Sequence, residues 1–342
     1  AKSTQPGNGV GVELVSGKMN FATANTAANA SAYLTGSGEV NAAGINIQAA
    51  GTGSLATADI DAAKTVVSGV TVAANQALAS LKLIQNAYIN GTGTVNATGP
   101  VSVLSILQNT SSWAEAGANG GTGVSLVGGK VDQTTAESAS TVEAYIEGNM
   151  TIITTGDVSV GADLGGTVVS RAQAPDTSVT LLSLGVVKVI ASFANDAVSA
   201  YISGNANVTG SSVDVIAKAS GTATAIAEQP NTSVSAVSSS EIYAEAKVES
   251  RTVTASIGSG ATVTSTGTEE DDGVNVAAAS STILNAYSNH GINVSLVGVG
   301  RYTIKTYVGS HSTTAEIDGT VKAENNIWLT AADSITASAK TS

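Results

Sequence analysis

The chain has 342 residues, yet it contains no cysteine, only four prolines and only two histidines. Without cysteine there is no disulfide framework, no thiol nucleophile and no cysteine-based metal site. A secreted fold of this size must then hold itself by backbone hydrogen bonds and stacking. Aromatic residues make up 4% of the chain and charged residues 12%, both low. Small apolar side chains can fill a narrow core but not a thick one, so the composition predicts a long, thin body. Cationic charge is also short: 14 Lys and Arg stand against 26 Asp and Glu, a formal net charge of −12. Nucleic-acid phosphates and anionic lipid would be repelled, so no nucleic-acid partner is expected. No apolar run reaches membrane-spanning length; the longest near-run, LLSLGVVKVIASFA at 181–194, is interrupted by Lys188. No membrane insertion of this segment is expected, and residues 1–20 lack a basic-then-apolar signal pattern.

What is present is Ala, Ser, Thr, Val, Gly and Asn, with 42% hydrophobic residues and a positive mean hydropathy. That is not the polar, highly charged composition of a disordered chain. Abundant β-branched residues favour strands. The best helix candidate is VAANQALASLKLIQN at 72–86, although its period also reads as alternation.

The chain repeats itself. The motif AYISGNANVTG at 200–210 has near-copies at 32, 87 and 144, and its alanine column runs Ala32, Ala87, Ala144, Ala200, Ala255 and Ala315, at intervals of 55, 57, 56, 55 and 60 residues. Two positions on lie Leu34, Ile89, Ile146, Ile202, Ile257 and Ile317; eight on lie Val40, Val95, Ile152, Val208 and Val263, with Val321 in a shorter last copy. An apolar-x-apolar string recurs from Ile45-Ile47 and Val101-Val103 to Val274-Val276 and Ile327-Leu329. An apolar-Ser-apolar string recurs as Val124-Leu126, Val179-Leu181, Val234-Ala236 and Val294-Leu296, with Val12-Leu14 and the surroundings of Val67 as weaker copies. Gly36, Gly91, Gly148, Gly204 and Gly319 recur at one offset, as expected of strand-ending turns.

Apolar and polar positions alternate within each copy, the signature of strands with one buried face. A strand-turn-strand unit that cannot close a core alone must stack on its neighbours, which predicts an all-β fold, a β-solenoid of about six repeats. A period near 56 divides into two coils of about 28 residues or three of about 19, and the two distinct halves of the repeat favour two coils per repeat. Two coils give roughly 12 in all and a rod roughly 60 Å long. Residues 1–342 read as a single solenoid region. It begins in the second half of one repeat and ends in the first half of another, as a segment of a longer chain would.

The pattern A-x-I-x-x-G-x-x-V-x-[ST] followed by V-x-V-x-A, carried best by ASIGSGATVTSTG at 255–267 and GVNVAAASS at 273–281, resembles the repeats of large secreted bacterial filamentous adhesins of the filamentous-haemagglutinin and leukotoxin type. The resemblance implies a right-handed parallel β-helix, export to the bacterial cell surface or beyond it, and a stalk or adhesive role. Its partners would be a glycan or protein of a host or neighbouring cell. Separately, unpaired strand groups at the ends of a solenoid invite end-to-end pairing, so a self-assembling extracellular filament subunit is an alternative expectation. The long period departs from the coil-length repeats of many such proteins.

Residues that carry chemistry are sparse. His290 and His311 have no counterparts in other copies and read as solvated loop histidines. There is no GxSxG elbow and no catalytic residue can be nominated. A carbohydrate-active β-helix enzyme would need acids converging on one groove; only Asp157, Asp163 and Arg171 suggest such a grouping, and unrelated surface charges explain them as well. Glu269, Glu270, Asp271 and Asp272 form an acidic string in the longest copy, a solvated loop by preference and a weak Ca²⁺ candidate by ligand type; no other metal and no cofactor is expected. Eight N-x-[ST] sequons, at Asn29, Asn90, Asn96, Asn109, Asn149, Asn207, Asn231 and Asn293, follow from the composition. Tyr33, Tyr88, Tyr145 and Tyr201 share one outward column, replaced by Ser256 and Glu316 in later copies. With two coils per repeat they would stand about 10 Å apart, too far for ring stacking. They are the candidate partner-binding residues, since exposed tyrosine is favoured at interfaces.

Overall fold

The computed structural model describes residues 2–6, 10–61, 65–117, 122–173, 177–228, 232–289 and 292–341. Alternating β-branched and small residues make nearly all of them strand, including 72–86, which lies within the strand Thr65–Gly91. The helix candidate is therefore corrected: alternation decides over the three-to-four residue spacing because every second side chain there meets a facing sheet.

The fold is a parallel β-helix of six coils with three faces. A kinked face collects Val10–Gly36, Thr65–Gly91, Thr122–Ser138 with Thr141–Gly148, Thr177–Phe193 with Asp196–Ile202, Thr232–Ile257 and Ile292–Ile317. A short face collects four-residue strands, Glu39–Ala42 to Thr320–Ala323. A long face runs from Ile45–Thr52 and Leu55–Asp61 through Val101–Gly117, Val158–Gln173, Val213–Glu228 and Gly273–Asn289 to Asn326–Thr341. All pairings are parallel, and each strand pairs with its counterpart one full repeat away: Ala32 with Ala87, Ala87 with Ala144, Ala144 with Ala200. Each repeat is thus one coil. The expected two coils per repeat are overturned because the chain spends about 56 residues on one wide circuit, with strands of up to 27 residues. Six coils rise only about 29 Å at ~4.8 Å each, so the described body is broad in cross-section and short along its axis.

The core is graded. Next to the short face it is filled by Ile89, Ile146, Ile202 and Ile257, with Val95, Ile152, Val208 and Val263, all fully buried. Farther along, the kinked and long faces close on each other over alanine: Ala79, Ala114, Ala136, Ala223, Ala225 and Ala244 are fully buried. Here the sheets lie closer than the ~10 Å usual for packed sheets. The Ser112 hydroxyl donates across the gap to the Ala79 carbonyl at 3.0 Å, and Ser105 to the Gln85 carbonyl at 2.9 Å. The composition's scarcity of large side chains matches this thin layer.

The turn between kinked and short faces uses glycine where φ is positive, as at Gly148 (90°) and Gly204 (70°). In the fifth coil that role falls to Gly260 (83°), and Gly319 is not among the positive-φ glycines. In the same coil, Asn207 pairs with Thr262 at a spacing of 55 but Val213 pairs with Val274 at 61. The excess is the turn carrying the acidic string.

Candidate functional site

The outward tyrosine column becomes a continuous stack. One coil per repeat brings successive rings to a single inter-strand spacing, and Tyr33–Tyr88, Tyr88–Tyr145 and Tyr145–Tyr201 have centroid distances of 5.1, 4.8 and 4.9 Å with interplanar angles of 11°, 0° and 2°. The expected 10 Å separation is corrected accordingly. Ring faces are consumed by neighbouring rings, so the strip presents ring edges and hydroxyls. Tyr33 remains 60% exposed, and the other three are half-buried. Burial holds the Tyr145 and Tyr201 hydroxyls above the usual tyrosine range, and the nearby carboxylates of Glu143 and Glu147 add to the effect. Glu147 is itself held by the Ser203 hydroxyl at 3.4 Å and the Asn90 amide at 3.5 Å. The stack and its two acids make a rigid, hydroxyl-lined strip that sugar hydroxyls or polar peptide groups can hydrogen-bond.

A second outward cluster lies on the kinked face. Tyr243 donates to Glu245 at 2.7 Å, Lys305 pairs with Glu245 at 3.0 Å, and the Lys305 and Lys188 ammonium groups stand 5.2 and 5.9 Å from the Tyr243 ring centre. Burial pulls the Glu245 carboxyl up, but the Tyr243 and Lys305 hydrogen bonds outweigh it and hold the group below the usual glutamate range.

The remaining nominees separate. Arg171 reaches Glu228 through two bonds of 3.0 and 2.9 Å and lies 3.8 Å from Glu115, not at Asp157 or Asp163. Asp157 accepts the Ser212 amide at 3.3 Å; Asp163 is half-buried and its carboxyl is raised by burial against the Gln108 hydrogen bond and the Lys218 charge. In the acidic string, Asp272 folds back to accept the Glu269 amide at 2.8 Å and the Ser211 hydroxyl at 3.3 Å, while Glu269, Glu270 and Asp271 point to solvent. Among the described residues no three acids or histidines gather as a metal site. His290 and the sequon at Asn231 lie outside the described residues, as does the Asn293 side chain. Three other sequon side chains serve the stack: Asn96 donates to Asn41, Asn109 donates to Thr52, and Asn149 accepts from Asn205.

His311 is not a loop residue. It sits in the strand Ile292–Ile317 with its side chain 6% exposed, and its Nε2 lies 2.9 Å from Asp333 Oδ1. It belongs to an inward column, four residues before the repeat alanine, shared with Ser140, Asp196 and Arg251. Arg251 and Asp196 form a fully buried ion pair at 2.8 Å. Arg251 also donates to Thr282 at 2.8 Å and lies over the Phe193 ring at 4.0 Å, while Asp196 accepts the Ser140 amide at 3.0 Å. The signal for this pair was its parity: charge at a position that shares a face with the buried alanines.

These features define a class, a parallel β-helix with stacked surface ladders. No family model, curated protein or solved structure matches the chain, so the resemblance to filamentous adhesins rests on the repeat pattern alone.

Proposed function

We propose that the chain is a structural segment of a bacterial cell-surface or secreted protein, a stiff stalk that displays repeated weak binding surfaces. The carrying observation is the long parallel register: on the long face, 16 consecutive residue pairs join Val158–Gln173 to Val213–Glu228, and the next two coils continue the ladder, while the coil before is interrupted by one shift between Leu164 and Gly166. Such a ladder resists bending, and identical columns multiply any weak contact they make.

The adhesive part of this reading rests on the tyrosine stack. Glycan-array binding should fall at least tenfold when Tyr88, Tyr145 and Tyr201 are changed together to Ser, with the far-ultraviolet circular dichroism unchanged. Undiminished binding would remove the stack as the contact. Release of reducing ends from a polysaccharide, abolished by one acid substitution, would overturn the structural reading.

A further inference from the structure

One corner of the coil is built inside out. The kinked-face strands bend sharply near their starts. The ladder pairs Thr180 with Ser235 and Leu182 with Val237 but skips Leu181 and Ala236, the mark of a bend at that column. Hydroxyls lie inside the bend: Ser68 bonds Thr71 across it, and Ser68 and Ser235 are buried. The apolar side chains point outward instead. With a coil on either side, Leu126 is still 62% exposed and Leu181 60%. The alternation expected to bury Val124-Leu126 and its copies is therefore reversed here: in the second to sixth coils the residue inside the bend is Ser68, Ser125, Thr180, Ser235 or Ser295, each small enough for so tight a turn.

We propose that this ridge is a self-association surface on which a second copy of the chain packs antiparallel. Three observations carry the choice of occupant. In a chain of net charge −12, the ridge segments of the second to sixth coils, 65–72, 122–129, 177–187, 232–240 and 292–300, contain no charged residue, and only the first coil carries one, Glu13, so two copies approach over those five coils without repulsion. Exposed Leu and Val side chains line the ridge in the interior coils as well as at its ends, Val124, Leu126, Val179, Leu181, Leu184 and Val237 among them, a contiguous apolar strip of the kind that marks an interaction site. The crest column is also self-complementary. It reads Leu14, Gly69, Leu126, Leu181, Ala236, Leu296 through the six coils. A two-fold axis at Leu181 sets Leu181 against its own copy at the centre, Leu126 against Ala236 and Leu296 against Gly69, so large meets small on both sides of the axis, a self-complementary arrangement that a symmetric interface can use.

The inference is independent of the stalk reading. It is tested by sedimentation equilibrium of the chain and of a Leu126→Ser, Leu181→Ser, Leu296→Ser variant. These side chains face outward, so circular dichroism should not change, while the dimer constant should weaken at least tenfold. The chain has no cysteine, so Leu181→Cys supplies a single thiol, and oxidation should give a disulfide-linked dimer faster than with Leu14→Cys, which lies outside the overlap. The proposal is overturned by a chain that stays monomeric at every concentration. It is equally overturned by a dimer that survives the triple variant, as end-to-end pairing would, or by a monomer whose ridge instead drives binding to neutral phosphatidylcholine vesicles.

Discussion

Asp196 and Arg251 stand one above the other in an inward column whose first two coils carry Ala28 and Leu83. The column accepts apolar residues, so the charged pair is not needed to fill space, yet once present it is costly to break. Removing one partner leaves a buried charge alone, and Asp196→Ala should lower unfolding stability by about 3–5 kcal/mol. Asp196→Leu with Arg251→Met should recover at least half of that loss, because no charge is then left buried and only hydrogen-bonding groups, the Ser140 amide and the Ser138 and Thr282 hydroxyls, lose a partner. Denaturant unfolding of the two variants makes the comparison; equal losses would mean the damage comes from those hydrogen bonds. The tyrosine stack has a pH signature of its own. The folded state raises the Tyr145 and Tyr201 hydroxyls above their ordinary value of 10.0, chiefly by burial. The folded protein thus holds protons that the unfolded chain releases. Stability from these groups is fully present below pH 10 and is lost as pH rises through the folded values. A tyrosinate absorbance titration should show a late phase that Tyr201→Phe reduces; a single phase near pH 10 would contradict the burial.

At the level of strands and turns, what the sequence revealed and what it hid divide along one physical line. Local parity was legible. Ala87, Ile89, Val95, Val101 and Val103 alternate inward as their spacing indicates, and all are fully buried. The length of the circuit was not legible, since pairing between residues about 56 apart leaves no local mark, and a period near 56 admits one, two or three coils. A clue existed: the two halves of the repeat do not match each other, as two stacked coils would. The tyrosine spacing was misread as a direct consequence. The ridge was misread because parity says which side chains share a face but not which way a bent strand turns that face. The turn glycines show how tightly the coils then nest. A Cβ on Gly148, at φ 90°, would stand 2.5 Å from the Gly91 carbonyl oxygen. Gly148→Ala should cost about 1–3 kcal/mol through left-handed strain alone, and more where the backbone cannot yield. Gly185→Ala, with nothing within 4 Å of its Cβ, is the control and should be near neutral. Parallel melts of the two variants test this.

For the molecule as a whole, a stack in which each coil touches only its neighbours has a stability close to a sum of coil and interface contributions. It should therefore tolerate the loss of one whole coil and no fraction of one. Deleting residues 32–86 joins Ser31 to Ala87, the residue that already lies beside Ala32 in the neighbouring coil. The junction keeps parity, the glycine turn at Gly91 and the Tyr88–Tyr145 contact. It also brings Asn20 to the level of Asp132, which Asn75 now bridges through hydrogen bonds of 2.8 Å on either side. The shortened chain should fold with the same circular dichroism spectrum, and its denaturant m-value should fall by roughly one sixth, in proportion to the surface removed. Deleting residues 32–59, about half a repeat, splices the kinked-face strand near its end, at Ser31, to the end of the long face at Ile60. No alignment of the remaining Ala, Ile and Val columns then keeps both register and curvature, so this chain should lose cooperative unfolding. Under two coils per repeat the half-repeat deletion would be the tolerated one. The two deletions thus discriminate the circuit lengths, and a folded half-deletion beside an unfolded whole-coil deletion would reject the single-coil architecture.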